Sequence, residues 1–321
     1  MTILTRRIAL AAAAAALASP KAWAFPSNPV RLIVPFGPGG FADLIARQLA
    51  EPLGQRLGQP VVVENRPGAG GNIAAEAVAR AAPDGHTLLL AGQGLTSINP
   101  ALYARLPFDP ERDFAVIGFI AEVPNLALGG PATPGGSLAG LIAAAKASPG
   151  TLSYGSVGVG SVTHLAAEML CAAAGIRMEH IPYRTPGAAQ ADLIAGRIHL
   201  LFESAGSAIG LIRGGQLRGL GVAGPQRLAN VPQVSTIAEM LPGYEAIGWY
   251  GLLAPASVPG PALARLRTEL AATITEPAFG NFLSARGAEP MRVTPDQGPA
   301  FLAADRRRWG DAVRSSGARA E

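Results

Sequence analysis

An α/β fold of about two domains, with helices flanking sheets dominated by parallel strands, is the class this sequence predicts. Three observations lead there. Short strand-like runs alternate with helical patterns along most of the chain, the order expected of strands joined by helical crossovers. Two of those runs feed glycine-rich loops that open onto amphipathic segments, at 35–43 and 155–164. The length, 321 residues, exceeds what one core usually serves.

At the start of the chain, Arg6 and Arg7 precede the apolar run 8–18, and Ala22-Trp23-Ala24 offers a small-x-small cleavage site. Residues 1–24 therefore read as an export signal cleaved after Ala24, which sends the mature chain to the periplasm. The order Thr5-Arg6-Arg7 suits both the twin-arginine and the general secretory route. The apolar run is too short for a permanent span, and no later run reaches that length without charge or glycine. Cleavage removes Arg6, Arg7 and Lys21 and no acid, so the 26 basic residues become 23 against 22 acidic ones. That balance argues against a polyanion-binding surface, and so against nucleic acid as a partner. Cys171 stands alone in an alanine-rich apolar run; it forms no intrachain disulfide and reads as core filler.

Strand-like runs fall at 30–35, 61–64, 87–90, 116–120, 125–128, 152–155, 179–182, 198–202, 217–222 and 249–254. Helical patterns fall between them, including 43–57, 72–82, 137–147, 161–174, 187–195 and 205–213. In the first of these Ile45, Leu49, Leu53 and Leu57 recur four apart and form one face, while Pro52 is expected to kink or shorten the helix. Asn72 and Ser137 are expected to cap the next two, and Ser161 the fourth. Proline and glycine are dense from Pro124 to Gly136, where the pattern changes character.

The first loop, Pro35 to Gly40, leads from a strand into a helix, leaving unpaired amides at a positive helix terminus. Alone, that segment is equally an ordinary turn. Asp43, in the first helical turn, is more plausibly a residue that orders the loop than a base. The second loop, Gly155 to Gly160, repeats the arrangement in the other half of the chain, with His164 in the first turn as a capping or ligand-contacting group. Two such loops suggest helix N-termini facing across a cleft and holding an anion by dipoles and backbone amides. Tyr183 and Arg184, and likewise Glu203, end strand-like runs where ligands of open α/β folds bind; the alternative for Glu203 is a solvated acid. Nucleotide readings fail on detail: Ser161 stands where a Walker lysine belongs, and no G-x-G-x-x-G follows the first strand. There is no G-x-S-x-G elbow, no H-E-x-x-H, and no nucleophile–base set. No catalytic residue, metal or cofactor is expected.

Seven segments carry a family resemblance: PFGPGG with Asp43 (35–43), VVVENRPGAGGNIAAEAVARAAPDGHTLL (61–89), INPALY (98–103), PFDPERDFAVI (107–117), YGSVGVGSVTHLAAE (154–168), IPYRTPGAAQADLIAGRI (181–198) and WYGLLAPASVP (249–259). In these the chain resembles the tripartite tricarboxylate transporter substrate-binding proteins, the TctC or Bug family of periplasmic solute receptors. The resemblance implies a two-domain, type II-like periplasmic-binding-protein clamshell with the ligand in the interdomain cleft. It implies domain 1 over 25–124 and 248–321 and domain 2 over 125–247. It also implies a monomeric receptor, not an enzyme, for a small organic carboxylate, aromatic and amino acids included. Separate membrane transporter subunits or a sensor would be its partners. An ATP-driven uptake receptor of the same fold, or an exported enzyme, are the alternatives. The grip carried over from the family comprises Pro38, Gly39, Gly40, Phe41 and Asp43 from one loop. From the other come Ser156, Gly158, Gly160, Ser161, Val162, Thr163 and His164. Tyr183 and Glu203 complete the set. The sequence departs from the family at Phe41 and Ala42, where a small residue and a hydroxyl are usual. Arg184 and Glu203 replace the usual Lys and Asp. Phe41 is thus expected either to touch the ligand or to fill a gap between helix and loop.

Overall fold

In the computed structural model, which describes residues 25–320, the first glycine loop leaves a buried strand; the export signal lies outside the described residues. β1 (Val30–Val34) runs parallel between β2 (Val61–Asn65) and β3 (Thr87–Gly92). Such a central strand is covered on both faces, which is why it is a continuous apolar run. Helix α1 (Phe41–Leu57) lays Ile45, Leu49 and Leu53 against it. Pro52 does not shorten this helix. The buried face, with Leu49 and Leu53 on either side of the proline, outweighs one lost hydrogen bond. α2 (Asn72–Ala79) starts from Gly71 rather than from an Asn72 cap. Asn72 is already helical and buried, and its Oδ1 accepts from Asn99 (2.7 Å). α3 (Asn99–Leu102) follows a π-helical turn, Gly94–Ile98.

β4 (Phe114–Gly129) decides the architecture. The sequence predicts two strands here, yet the chain forms one of 16 residues. Pro124 sits within it opposite Ile247, and irregular register at Val116/Gly118 and Phe119/Ala121 takes up curvature. From Phe114 to Pro124 it pairs antiparallel with β9 (Ile247–Pro255), which also pairs with β3. From Asn125 onward it pairs antiparallel with β7 (Leu200–Ser204), and from Leu126 with β8 (Arg218–Val222) on its other side. β7 continues through parallel β5 (Ser153–Ser156) to β6 (Glu179–Pro182). A short β10 (Glu289–Pro290) lies along β4 as well. The order β2-β1-β3-β9-β4-β7-β5-β6 is therefore parallel at both ends and antiparallel in the middle. The expected parallel strands thus stand at the two ends, joined through an antiparallel middle. β4 and β9 carry the chain between the halves in opposite directions, and antiparallel neighbours need no crossover helix.

In the second half, α4 (Leu138–Ala147) and α5 (Val162–Ala174) cover one sheet face. α6 (Pro186–Ile194) and α7 (Ala205–Arg213) cover the other. α8 (Gly260–Ile274) and α9 (Pro277–Ser284) return to pack with α1. The last helix, α10 (Gly298–Ser316), puts Trp309, Ala312 and Val313 into one core with Leu165 and Leu170 of α5 and with Ile98 and Leu102. Cys171 is buried there too, with its thiol pushed up to about 12 by burial, as core filler should be. Among the described residues, no helix is long and apolar enough to cross a membrane.

Candidate ligand site

Gly40 is the N-cap of α1 and has no side chain to cap with. The amides of Phe41 and Ala42 therefore have no protein partner among the described residues, and they lie at the positive end of a 17-residue helix. Pro38, Gly39 and Gly40 are exposed. Asp43 is buried, and both its oxygens are occupied. Oδ2 accepts from the Gly39 amide (3.0 Å) and from Arg47 Nε (2.9 Å), and Oδ1 accepts from Asn65 Nδ2 (2.9 Å). These donors, Arg47 foremost, hold the carboxyl down to about 2. Asp43 orders the loop. Asn65, opposite Val34 on β2, also donates to the Phe36 carbonyl (3.0 Å) and so ties the loop to the sheet. Arg47 was missed from the sequence, although its i,i+4 spacing from Asp43 was the signal that could have found it. Asn65 was missed too, because only strand pairing brings it there.

Phe41 stacks on Phe282 (centroids 6.5 Å apart) and meets Tyr250 edge-on (6.0 Å), packed against the first core. These rings fill space between the helix and its neighbours, and the Phe41 ring is left partly exposed.

The second loop is knotted by its own hydroxyls. Ser161 Oγ accepts from the His164 amide (3.2 Å), the predicted cap, and donates to the Gly158 carbonyl (2.7 Å). Thr163 Oγ1 accepts from the Val157 amide (3.3 Å), and buried Ser156 Oγ accepts from the Gly158 amide (3.1 Å). His164 Nδ1 accepts from the Gly160 amide (3.1 Å). Its ring stacks on His180 (4.1 Å) and Tyr154 (6.2 Å), and His180 Nε2 shares a 2.6 Å hydrogen bond with Ser156. Burial, then neighbouring His180, pushes His164 down to about 4. With these bonds made, the amides of Val159, Val162 and Thr163 are left without a protein partner among the described residues. Gly160 has φ +75°, and a Cβ there would lie 2.3 Å from Leu102 Cδ2. Only glycine lets α3 press this closely on the loop. His180 and Leu102 were missed from the sequence because both reach the loop from other elements.

Tyr183 joins the same loop by donating its amide to the Ser156 carbonyl (2.8 Å), while its hydroxyl donates to Asp192 (2.8 Å). Arg184 is exposed and makes no ion pair with Glu203. Glu203 is buried, not solvated, and burial pushes it up to about 7, opposed by neighbouring Gln190. No cluster of metal-ligating side chains exists among the described residues.

Residues 45–318 match the model of the "tripartite tricarboxylate transporter family receptor", TctC. The chain is 35% identical over 322 residues to protein BugT of Bordetella pertussis, covering 99% of each. Among solved structures, R. palustris Rpa4515 with adipate is 33% identical with TM-score 0.81, over 91% of this chain and 98% of that one. MatC from Rhodopseudomonas palustris with bound malate is 30% identical with TM-score 0.78, over 90% and 100%. The architecture is thus that of a periplasmic binding protein, and the chain belongs to the TctC (Bug) family of tripartite tricarboxylate transporter receptors.

Proposed function

We propose that this protein is an exported receptor that closes on a small organic carboxylate and presents it to separate membrane subunits of a tripartite tricarboxylate-type transporter. The observation that carries this reading is the pair of unclaimed amide sets. One stands at the uncapped start of α1 and the other around Val159–Thr163, each at the carboxyl end of a strand. Amides at helix termini hold an anion without a dedicated cation, which suits a chain near charge balance. The division at Pro124/Asn125, where β4 changes partner from β9 to β7, supports two lobes, 25–124 with 248–321 and 125–247. Pro38–Phe41 and Val159–Thr163 contact the ligand in this reading, and Asp43, Ser156 and His164 position those loops. Calorimetric titration of mature protein against mono-, di- and tricarboxylates, sugars and divalent cations tests it. Saturable one-to-one binding of at least one acid is expected. Binding of a sugar or cation with no acid bound would overturn it.

A further inference from the structure

Glu203 is a polar group the fold leaves unfinished. It is the last residue but one of β7, 4% exposed, on the face shared with Leu201 that α6 and α7 cover. Gln190 of α6 is the one neighbour that opposes the effect of burial on it. Its Oε1, however, is buried without a hydrogen-bond partner, which native structures rarely leave unexplained. The next residue, Ser204, is the N-cap of the nine-residue helix α7, yet its side chain makes no capping bond. Its Oγ instead lies 3.4 Å from Ser207 Oγ. The residue whose carboxyl oxygen is unclaimed is thus followed directly in the chain by a helix start whose amides and serine cap are unclaimed as well among the described residues.

The charged groups on the packed elements are engaged elsewhere. Asp192 of α6 accepts from Tyr183 and Arg197. His164 and Glu168 of α5 bond Gly160 and Tyr154. Arg213, at the far end of α7, bonds Asn230. Arg286, whose backbone lies against Gly206, bonds the Phe282 carbonyl. On β4, Leu126 is opposite Glu203, and Glu122 feels Glu245 and Glu289. Burial is therefore the dominant influence on Glu203, and it favours the neutral acid.

A helix N-terminus flanked by serines offers donors, so the ligand group that completes it is an acceptor, and the positive terminus repels a cation. We propose, building on the receptor reading above, that Glu203 carries a proton and donates it in a hydrogen bond to a second carboxylate of the bound ligand, received at the N-terminus of α7. Capture of a dicarboxylate is then coupled to proton uptake from solvent. A monocarboxylate leaves this subsite unused and binds without the proton.

Adipate and hexanoate, equal in length and differing in the second carboxylate, are the probes, titrated from pH 6 to 9 in buffers of differing ionisation enthalpy. Adipate affinity is expected to fall about tenfold per pH unit above 7, with close to one proton taken up per adipate at pH 8. Hexanoate affinity stays flat. Glu203→Gln, which keeps a donor, flattens the adipate profile. The proton count in the unaltered protein serves should that variant not fold. Adipate binding with no pH slope and no proton uptake, or with a rising slope, would overturn the assignment while leaving the receptor reading intact. Absence of binding by both acids across the range would overturn the assignment together with the carboxylate reading.

Discussion

His164 accepts the Gly160 amide at Nδ1, so the second loop folds around a neutral imidazole whose proton sits on Nε2. Its folded pKa, about 4, lies below the ordinary value near 6.5, with burial the larger cause and His180 the smaller. Above pH 6.5 both folded and unfolded chains are neutral here and nothing is lost. As pH falls below that, the unfolded chain takes the proton first, so stability declines until about pH 4 and then levels. The loss is about 2 kcal/mol after allowance for solvent screening. Unfolding free energies from urea titrations at pH 7 and pH 4 should separate by that amount, and His164→Asn should narrow the gap. An unchanged gap would show that another group carries the acid sensitivity.

Two helices of similar origin end differently, and the difference bears on binding. α5 is capped by the Ser161 side chain, which also closes the Gly158 carbonyl. α1 begins at a glycine with nothing to offer. The α5 terminus is thus closed at its cap residue, with the Val162 and Thr163 amides still free of protein partners among the described residues, and the α1 terminus has no side-chain cap at all. Ser161→Ala is expected to cost about 1 kcal/mol in chemical denaturation through loss of the cap. It should also weaken carboxylate binding by loosening the Val159–Thr163 amides. A stability loss with binding unchanged would detach that loop from the ligand.

At the scale of the whole molecule, α10 fastens the segments that run between the sheet halves. Asp305, 1% exposed, accepts from Ser97 Oγ (2.6 Å) and Trp249 Nε1 (3.0 Å), and pairs with Arg308 (3.0 Å). Arg308 in turn bonds Glu245, just before β9. One carboxylate thus joins the π-helical turn, the returning strand and the last helix. Asp305→Ala takes one of two carboxylate partners from the half-buried Arg308 and leaves the buried Ser97 and Trp249 donors unpaired, with an expected cost of about 3 kcal/mol. Ser97→Ala, which removes one neutral donor, should cost about 1 kcal/mol. Equal urea midpoints for the two variants would mean that the network does not hold the halves.

Most elements before about residue 223, and the strand at 249–254, were legible because each is written locally. Ile45, Leu49 and Leu53 share a face by spacing alone, Ser161 announces its helix, and the strand-then-glycine order marks both loops. The likeness of ENRPGAGGN and WYGLLAP to one family extended this to the fold. What stayed hidden depends on pairing between distant residues. Nothing local says that 116–120 and 125–128 join through Pro124 into one strand, since β9 supplies that register from more than a hundred residues away. For the same reason the sequence could expect Asp43 to order its loop without naming the partners, and could name Phe41 and Glu203 without choosing between two roles for each. Asn65 and Arg47 make Asp43 a loop brace, Phe282 and Tyr250 make Phe41 a packing ring, and the closure of α6 and α7 over β7 turns a strand-end acid into a buried one. Local chemistry determined which residues gather at the strand ends; only tertiary burial decided which of them are neutral, which are occupied, and which still lack a partner.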